Sequence, residues 1–401
     1  MSDSAASTAT SNMKLSLSWA PYLACSWTWC IGMFLPILFL RDFGWLGFVM
    51  FAVPNVLGAA AVGWVIRSPA ASRRWIRAHG PVMRLFGWVT IAFHAYWLGF
   101  LTRWLPFENA ETIIVWNAIA MGLVSLLAVR VSGRKLAWAL WPFSCVVFLT
   151  LALTGNVQPT PAAPLFGPSD SDAILWLTPV VAFGFLFCPL LDLTLHKARR
   201  ATPGAAGPVA FGVGYGVCFL TMILLTSAYA GRLLSGDAAA GIAEFALVAH
   251  LVAQLCFTVG EHTRTLADDA TTRNGAKRYT TGGVITLVFA AMIGAGMIVG
   301  GWPQPEAGLA PGEIGYRVIL SAYGLLFPSY VWICVIPRGG GRVAKPSHRA
   351  LAVWLIACAI AAPLFTQGFI RLDHIWLAPG LGVLLLARLF VPRASAGVES
   401  V

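Results

Sequence analysis

The residues able to do chemistry in this chain are few, and they lie inside apolar stretches where a polar group is expensive and so a default functional candidate. In "ALVAHLVAQLCFTVGE" (246–261), His250, Gln254 and Glu261 recur on one helical face. Histidine titrates near neutral pH, so His250 with Gln254 suits either a proton relay or an interhelical hydrogen bond. Thr90 and His94 lie one turn apart beside Tyr96 and Trp97. Asp192 ends an apolar stretch just before Lys197, Arg199 and Arg200, where those cations could neutralise it as a gate or a structural ion pair. His94, His250, Gln254 and Asp192 are the candidate coupling or gating residues.

A second chemistry drawn from the same residues is haem or redox ligation by intramembrane histidines, with His94, His196, His250, His262 and His374 as the available ligands. These histidines are not paired at matching depth. The eight cysteines all sit in apolar runs and read as small buried side chains, and Cys25 and Cys30 lack the two-residue spacing of a zinc or redox pair. No metal site and no cofactor are expected. Ser/His/Asp or two-carboxylate constellations at one depth are not evident, so an enzyme is not expected either.

The elements that must position these residues follow from composition. Hydrophobic residues are 58% of the 401 and charged residues 11%, and the mean hydropathy is +0.76, so the solvent of this chain is lipid. Continuous apolar runs, rather than short alternating ones, make it an all-α polytopic membrane protein and exclude a barrel. Apolar runs read against Gly, Pro and charge predict about twelve transmembrane helices. They fall near 15–40, 44–66, 82–105, 111–130, 136–154, 172–195, 208–231, 241–261, 281–301, 315–336, 349–370 and 374–391. Residues 1–14 are expected as a disordered cytoplasmic tail, 15–394 as a single transmembrane domain and 395–401 as a second cytoplasmic tail.

The connecting segments alternate in basic residues. Of the 27 Lys and Arg, only Arg41, Arg103, Arg232, Arg317 and Arg371 fall on one side of the predicted membrane. The positive-inside rule then places both termini in the cytoplasm and the chain in the cytoplasmic (inner) membrane. The formal charge of +11 is spread over inside loops facing lipid headgroups, so no nucleic-acid partner is expected.

Two predicted helices carry breaks. The first has "GMFLP" at 32–36 and the sixth has "GFLFCP" at 184–189. Glycine relaxes the backbone and proline removes a hydrogen bond, which predicts loosening from Gly32 to Pro36 and from Gly184 to Pro189. Helices one and six each open a group of five, and an odd number per group requires the second group to be inverted. The repeats are expected near 15–154 and 172–336, with two extra helices over 349–391. Broken helices at corresponding positions of inverted repeats point to a transport site.

In this order, topology and pair of broken helices the chain resembles the leucine-transporter fold of the amino acid, polyamine and organocation transporter superfamily. "LDLTLHKARR" at 191–200 is also loosely similar to a segment of nucleobase-cation symporters. The resemblance implies a secondary transporter, or permease, of a small organic solute working by alternating access. It implies a substrate site made of Ser26, Trp27, Thr28, Trp29, Gly32 and Met33 on one side and Phe183, Gly184, Phe185, Phe187 and Cys188 on the other. The expected partners are that solute, membrane lipid and a proton or sodium. Adjacent Ser/Thr hydroxyls often bind sodium in the eighth helix of that fold, and here only Thr258 is present, which leaves proton coupling or exchange open.

Overall fold

The computed structural model describes residues 2–102, 131, 133–153, 171–235, 242–268, 308–309, 311–336 and 343–391. The predicted helices at 111–130 and 281–301 and the tail at 395–401 lie outside them. The described residues are helical, with no strand. Among the described residues six helical stretches are long and apolar enough to cross a membrane: Cys30–Val65, Gly133–Leu151, Asp172–Leu191, Ala206–Ala230, Gly312–Val335 and His348–Ile370. Large apolar side chains such as Leu57, Leu153, Leu175, Ile356 and Phe390 stand exposed, a surface that is stable against hydrocarbon and unfavourable in water. The chain is a polytopic α-helical membrane protein.

Helix α1 spans Ser2–Trp27, so the residues expected as a disordered tail are helical from Ser2 onward. After a break at Thr28 and Trp29, α2 covers Cys30–Val65 as two helical pieces joined at Gly44, whose φ of 64° only glycine adopts readily. The chain folds back there. The Phe39 and Phe51 rings are 6.4 Å apart, against about 18 Å for twelve residues of straight helix. A side chain at Gly47 would meet the Phe39 carbonyl at 2.5 Å, so the reversal needs glycine at that position too. The predicted boundary between the first two helices thus falls at this turn.

Helix α3, Pro69–Thr102, begins well before the predicted position 82, because the basic segment "RRWIRAHG" is itself helical. Helix α4 is Gly133–Leu153, and α5 is Ser171–Phe187 followed by a 3-10 turn over Cys188–Leu191. Asp192 caps α6, Leu193–Ala201. The next span joins α7, Ala206–Val213, a π-helical turn over Gly214–Phe219, and α8, Leu220–Ser235. Helix α9 is Ile242–Asp268.

Helix α10, Pro311–Ser321, continues through π turns at Ala322–Leu326 and Val331–Val335 that flank α11, Phe327–Tyr330. Helix α12, His348–Phe365, is capped by the Ser347 hydroxyl on the Ala350 amide and runs on as a π turn to Ile370. A 3-10 turn over His374–Trp376 leads into α13, Leu377–Ala387. The main core is one apolar cluster in which Trp29, Phe34, Phe86 and Phe93 are fully buried, and a small second cluster joins Leu309, Ile314 and Ile370.

Candidate functional site

The first break does not lie between Gly32 and Pro36. Both residues sit in helical α2, and the interruption is at Thr28 and Trp29, where Trp29 is extended (φ −81°, ψ 178°). The helix ladder of α1 persists to the Thr28 amide on Ala24 O, which the Thr28 hydroxyl also bonds, while the Ser26 hydroxyl bonds Leu23 O; beyond Ala24 the carbonyls take other donors. The Trp29 indole takes Ser26 O at 2.7 Å, and its own amide takes Trp27 O. The two remaining carbonyls, Cys25 O and Thr28 O, accept from the Gln254 side-chain amide of α9.

On the other side of this break the first amide of α2 is capped as well. His94 Nε2 accepts from Cys30 N–H at 3.2 Å, while His94 Nδ1 lies 2.7 Å from Thr90 O. A carbonyl accepts only, so Nδ1 carries the proton and the ring is neutral. The candidate coupling residues His94 and Gln254 are therefore brought together here, as neutral caps on opposite ends of one break. His250 is not: its Nδ1 lies 3.0 Å from the Ser144 hydroxyl, an interhelical hydrogen bond between α9 and α4.

The second break is also displaced. Helix α5 runs through Gly184 to Phe187, and the chain leaves α geometry only from Cys188 to Asp192. Gly184 serves close approach rather than loosening, because a Cβ there would lie 2.8 Å from the carbonyl of Tyr323 in the π turn at Ala322–Leu326. That same carbonyl accepts from the Cys188 thiol at 3.2 Å. Leu190 O accepts from His196 Nε2 at 3.0 Å, which leaves His196 Nδ1 to accept from Ser72. Asp192 Oδ1 accepts from Thr194 N–H at 2.7 Å.

Asp192 does not pair with the basic residues that follow it. Lys197 reaches Glu261 and Asp268, at 3.4 and 3.5 Å, and the Arg199 guanidinium is spent on the carbonyls of Ile66, Arg67 and Thr202. The cluster that does form at this basic end is centred on Glu261, which also accepts from Tyr22 at 3.0 Å and pairs with Arg264. It ties α1, α6 and α9 together. Glu261 is 2% exposed, and nothing in its sequence position beside His262 announced that burial.

Between the breaks lies a mainly apolar cavity. Six of the eleven residues expected in a substrate site line it: Trp27, Trp29, Gly32, Gly184, Phe185 and Cys188. Ser26, Thr28, Met33, Phe183 and Phe187 do not line it. Ser26 and Thr28 bond backbone, the Met33 carbonyl accepts from Tyr229, and Phe183 stacks edgewise on Phe187, which meets Trp332. The sequence reading missed Asn55, Ser321, Tyr323, Phe365 and Phe369, which complete the wall from other elements. A polar Asn55 in the second piece of α2 was the one visible signal among them.

Among the described residues no ionisable acid or base other than the thiol of Cys188 and the phenol of Tyr323 lines the cavity. Asn55 accepts from the Trp27 indole at 2.7 Å through Oδ1, which leaves its amide nitrogen as a donor. The Trp27 and Trp29 rings are 4.5 Å apart, and Trp29 also meets Phe86, His262 and Tyr323 at 5.3 to 5.5 Å. Such a wall binds apolar or ring-shaped groups by contact area and orients them with a few hydrogen bonds.

The far end of the cavity is roofed by charge. Arg41 forms a two-pronged pair with Glu313 at 2.8 Å, and Arg317 bridges Glu313 and Asp42 at 2.8 and 3.2 Å. The Arg317 guanidinium lies 5.3 Å over the ring of Phe369, a cavity wall residue, and donates to its carbonyl. Among the described residues no group of three His, Cys, Asp or Glu side chains is placed to hold a metal ion. Both ring nitrogens of His94 and of His196 are committed to hydrogen bonds, so axial ligation would first break those caps. Compared with known proteins, the chain matches no family model and no curated protein.

Proposed function

We propose that this protein is a secondary transporter, a permease that carries a small uncharged organic solute with an apolar or aromatic body by alternating access. The observation that carries the reading is the cavity between two broken helices, walled by Trp27, Trp29, Gly184 and Phe185, with an ion-paired cluster seated on its wall residue Phe369. A buried charge on the solute would find no fixed counter-charge in that wall, and leaving it unpaired in a low dielectric is costly. The Asn55 amide and the backbone at the breaks supply directed polar contacts to a neutral solute.

In this reading the architecture is that of the leucine-transporter fold, twelve helices with a 5+5 inverted repeat and two extra helices. Both termini are cytoplasmic, the membrane is the cytoplasmic one, and the protein moves its solute without chemical change. The Arg41–Glu313–Arg317 roof closes the outer end and the Glu261 cluster closes the inner end, so opening one while keeping the other gives alternating access.

The test is a thermal-shift screen of the purified full chain against neutral ring compounds, amino acids, nucleobases, amines and carboxylates. A ligand that binds the native state raises its melting temperature by mass action. The expected hit is a neutral ring compound whose shift is lost in Trp27→Ala and Phe185→Ala. A best ligand carrying a full charge, or one indifferent to both substitutions, would sink the proposal.

A further inference from the structure

The second break leaves an acid with no counter-charge. Asp192 is fully buried; Oδ1 takes one amide hydrogen bond, and Oδ2 has no partner among the described residues. The Thr194 hydroxyl and the Leu195 amide also face this carboxylate, and the buried Tyr215 hydroxyl has no partner among the described residues. An ionised carboxylate in such surroundings is expensive unless a cationic side chain, a bound ion or a proton neutralises it.

Lys197 and Arg264 are engaged with Glu261, Lys197 also reaches Asp268, and Arg199 faces three carbonyls. Arg200 is exposed. His196 has both nitrogens committed, and His79 of α3 bonds Tyr330. The phenols of Tyr22, Tyr215 and Tyr323 lie near enough for the charge of Asp192 to act on them, and none of the three is a cation. No cationic side chain among the described residues serves Asp192.

We infer that Asp192 is a proton-binding site, neutral in this conformation and able to release its proton when movement of the second break admits water or a cation. The step is a proton exchange with solvent, carboxylic acid to carboxylate, and needs no other reactant. Its use as the coupling step rests on the transport reading above; proton binding itself does not. That separation lets the two fail independently.

The experiment is an infrared pH titration of the full chain in lipid, with no solute added. Wild type should show a protonated-carboxyl C=O band that titrates away as pH rises. Asp192→Asn should remove that band completely, Asp192→Glu should shift it, and Glu261→Gln should leave it in place. Since the folded state holds a proton that the unfolded chain releases above about pH 4, unfolding temperature should fall as pH rises. Asp192→Asn should flatten that slope. A band retained in Asp192→Asn and unmoved in Asp192→Glu overturns the proposal. So does a wild type in which Asp192 is ionised throughout and sodium or potassium chloride raises the melting temperature, because the neutralising ligand would then be a metal cation.

Discussion

The two helix breaks of this protein solve the same problem in opposite ways. At Thr28–Trp29 the six carbonyls from Leu23 to Thr28 each have a donor, and the amide that opens α2 has an acceptor, all from uncharged groups. At Cys188–Asp192 the backbone is also tied, through His196 and the cap on Thr194, but a carboxylate oxygen and the Tyr215 hydroxyl are left over. At the first break every one of these backbone groups is satisfied, and what is left over is one neutral amide oxygen, Gln254 Oε1. The second carries unused bonding capacity, and capacity of that kind is what a ligand, a proton or a second conformation can use.

The contrast is broken most severely at Gln254. Gln254→Leu leaves two buried carbonyls without their donor, and we expect a loss of about 2–4 kcal/mol, read from reversible unfolding in detergent. A loss near zero would mean that water replaces the amide and that the first break is wet. Gly184→Ala comes next, at about 1–3 kcal/mol, because the new methyl meets the Tyr323 carbonyl at 2.8 Å and packed helices yield poorly to added volume. If it is tolerated, the α5 contact with the π turn is soft and Gly184 has another role.

His94→Leu should cost about 1 kcal/mol, as removal of a helix cap does. That cost should shrink as pH falls from 8 to 5, because the unfolded imidazole takes up a proton below about pH 6.5 that the neutral buried ring does not hold; a cost independent of pH would show that His94 titrates in the fold as it does unfolded. Asp192→Asn should have the smallest effect on stability, under about 1 kcal/mol at low pH, because the amide keeps the Oδ1 cap and removes only the acid. A large loss there would reveal a counter-charge that the second break does possess.

Much of this was legible in the sequence. The length and hydropathy of the apolar runs gave an all-helical membrane protein, and helix ends such as His348 and Ile370 fall within a residue of their expected positions. The two breaks were detected, yet each was misplaced by several residues. Gly32, Pro36 and Gly184 were read as causes of loosening and are instead accommodated inside helices. Glycine and proline mark where a helix can yield. Where it does yield depends on which donors and acceptors arrive to satisfy the freed backbone. The expected ion pairs of Asp192 failed for a related reason: proximity in sequence put Lys197 and Arg199 on other faces of α6, where Glu261 and three carbonyls compete for them.

The sequence by itself determined the solvent of this protein and its secondary structure, because hydropathy and helix length are properties of a local run. It also determined that His94, Gln254 and Asp192 would be conspicuous, since a polar group in an apolar run stands out wherever the run folds. Only the tertiary structure decided their roles. His94 meets Cys30 across 64 residues of chain and Gln254 meets Cys25 across 229, while Asp192 meets no cation among the described residues at all. A buried polar group takes its meaning from its partner, and partners are chosen by packing rather than by sequence distance.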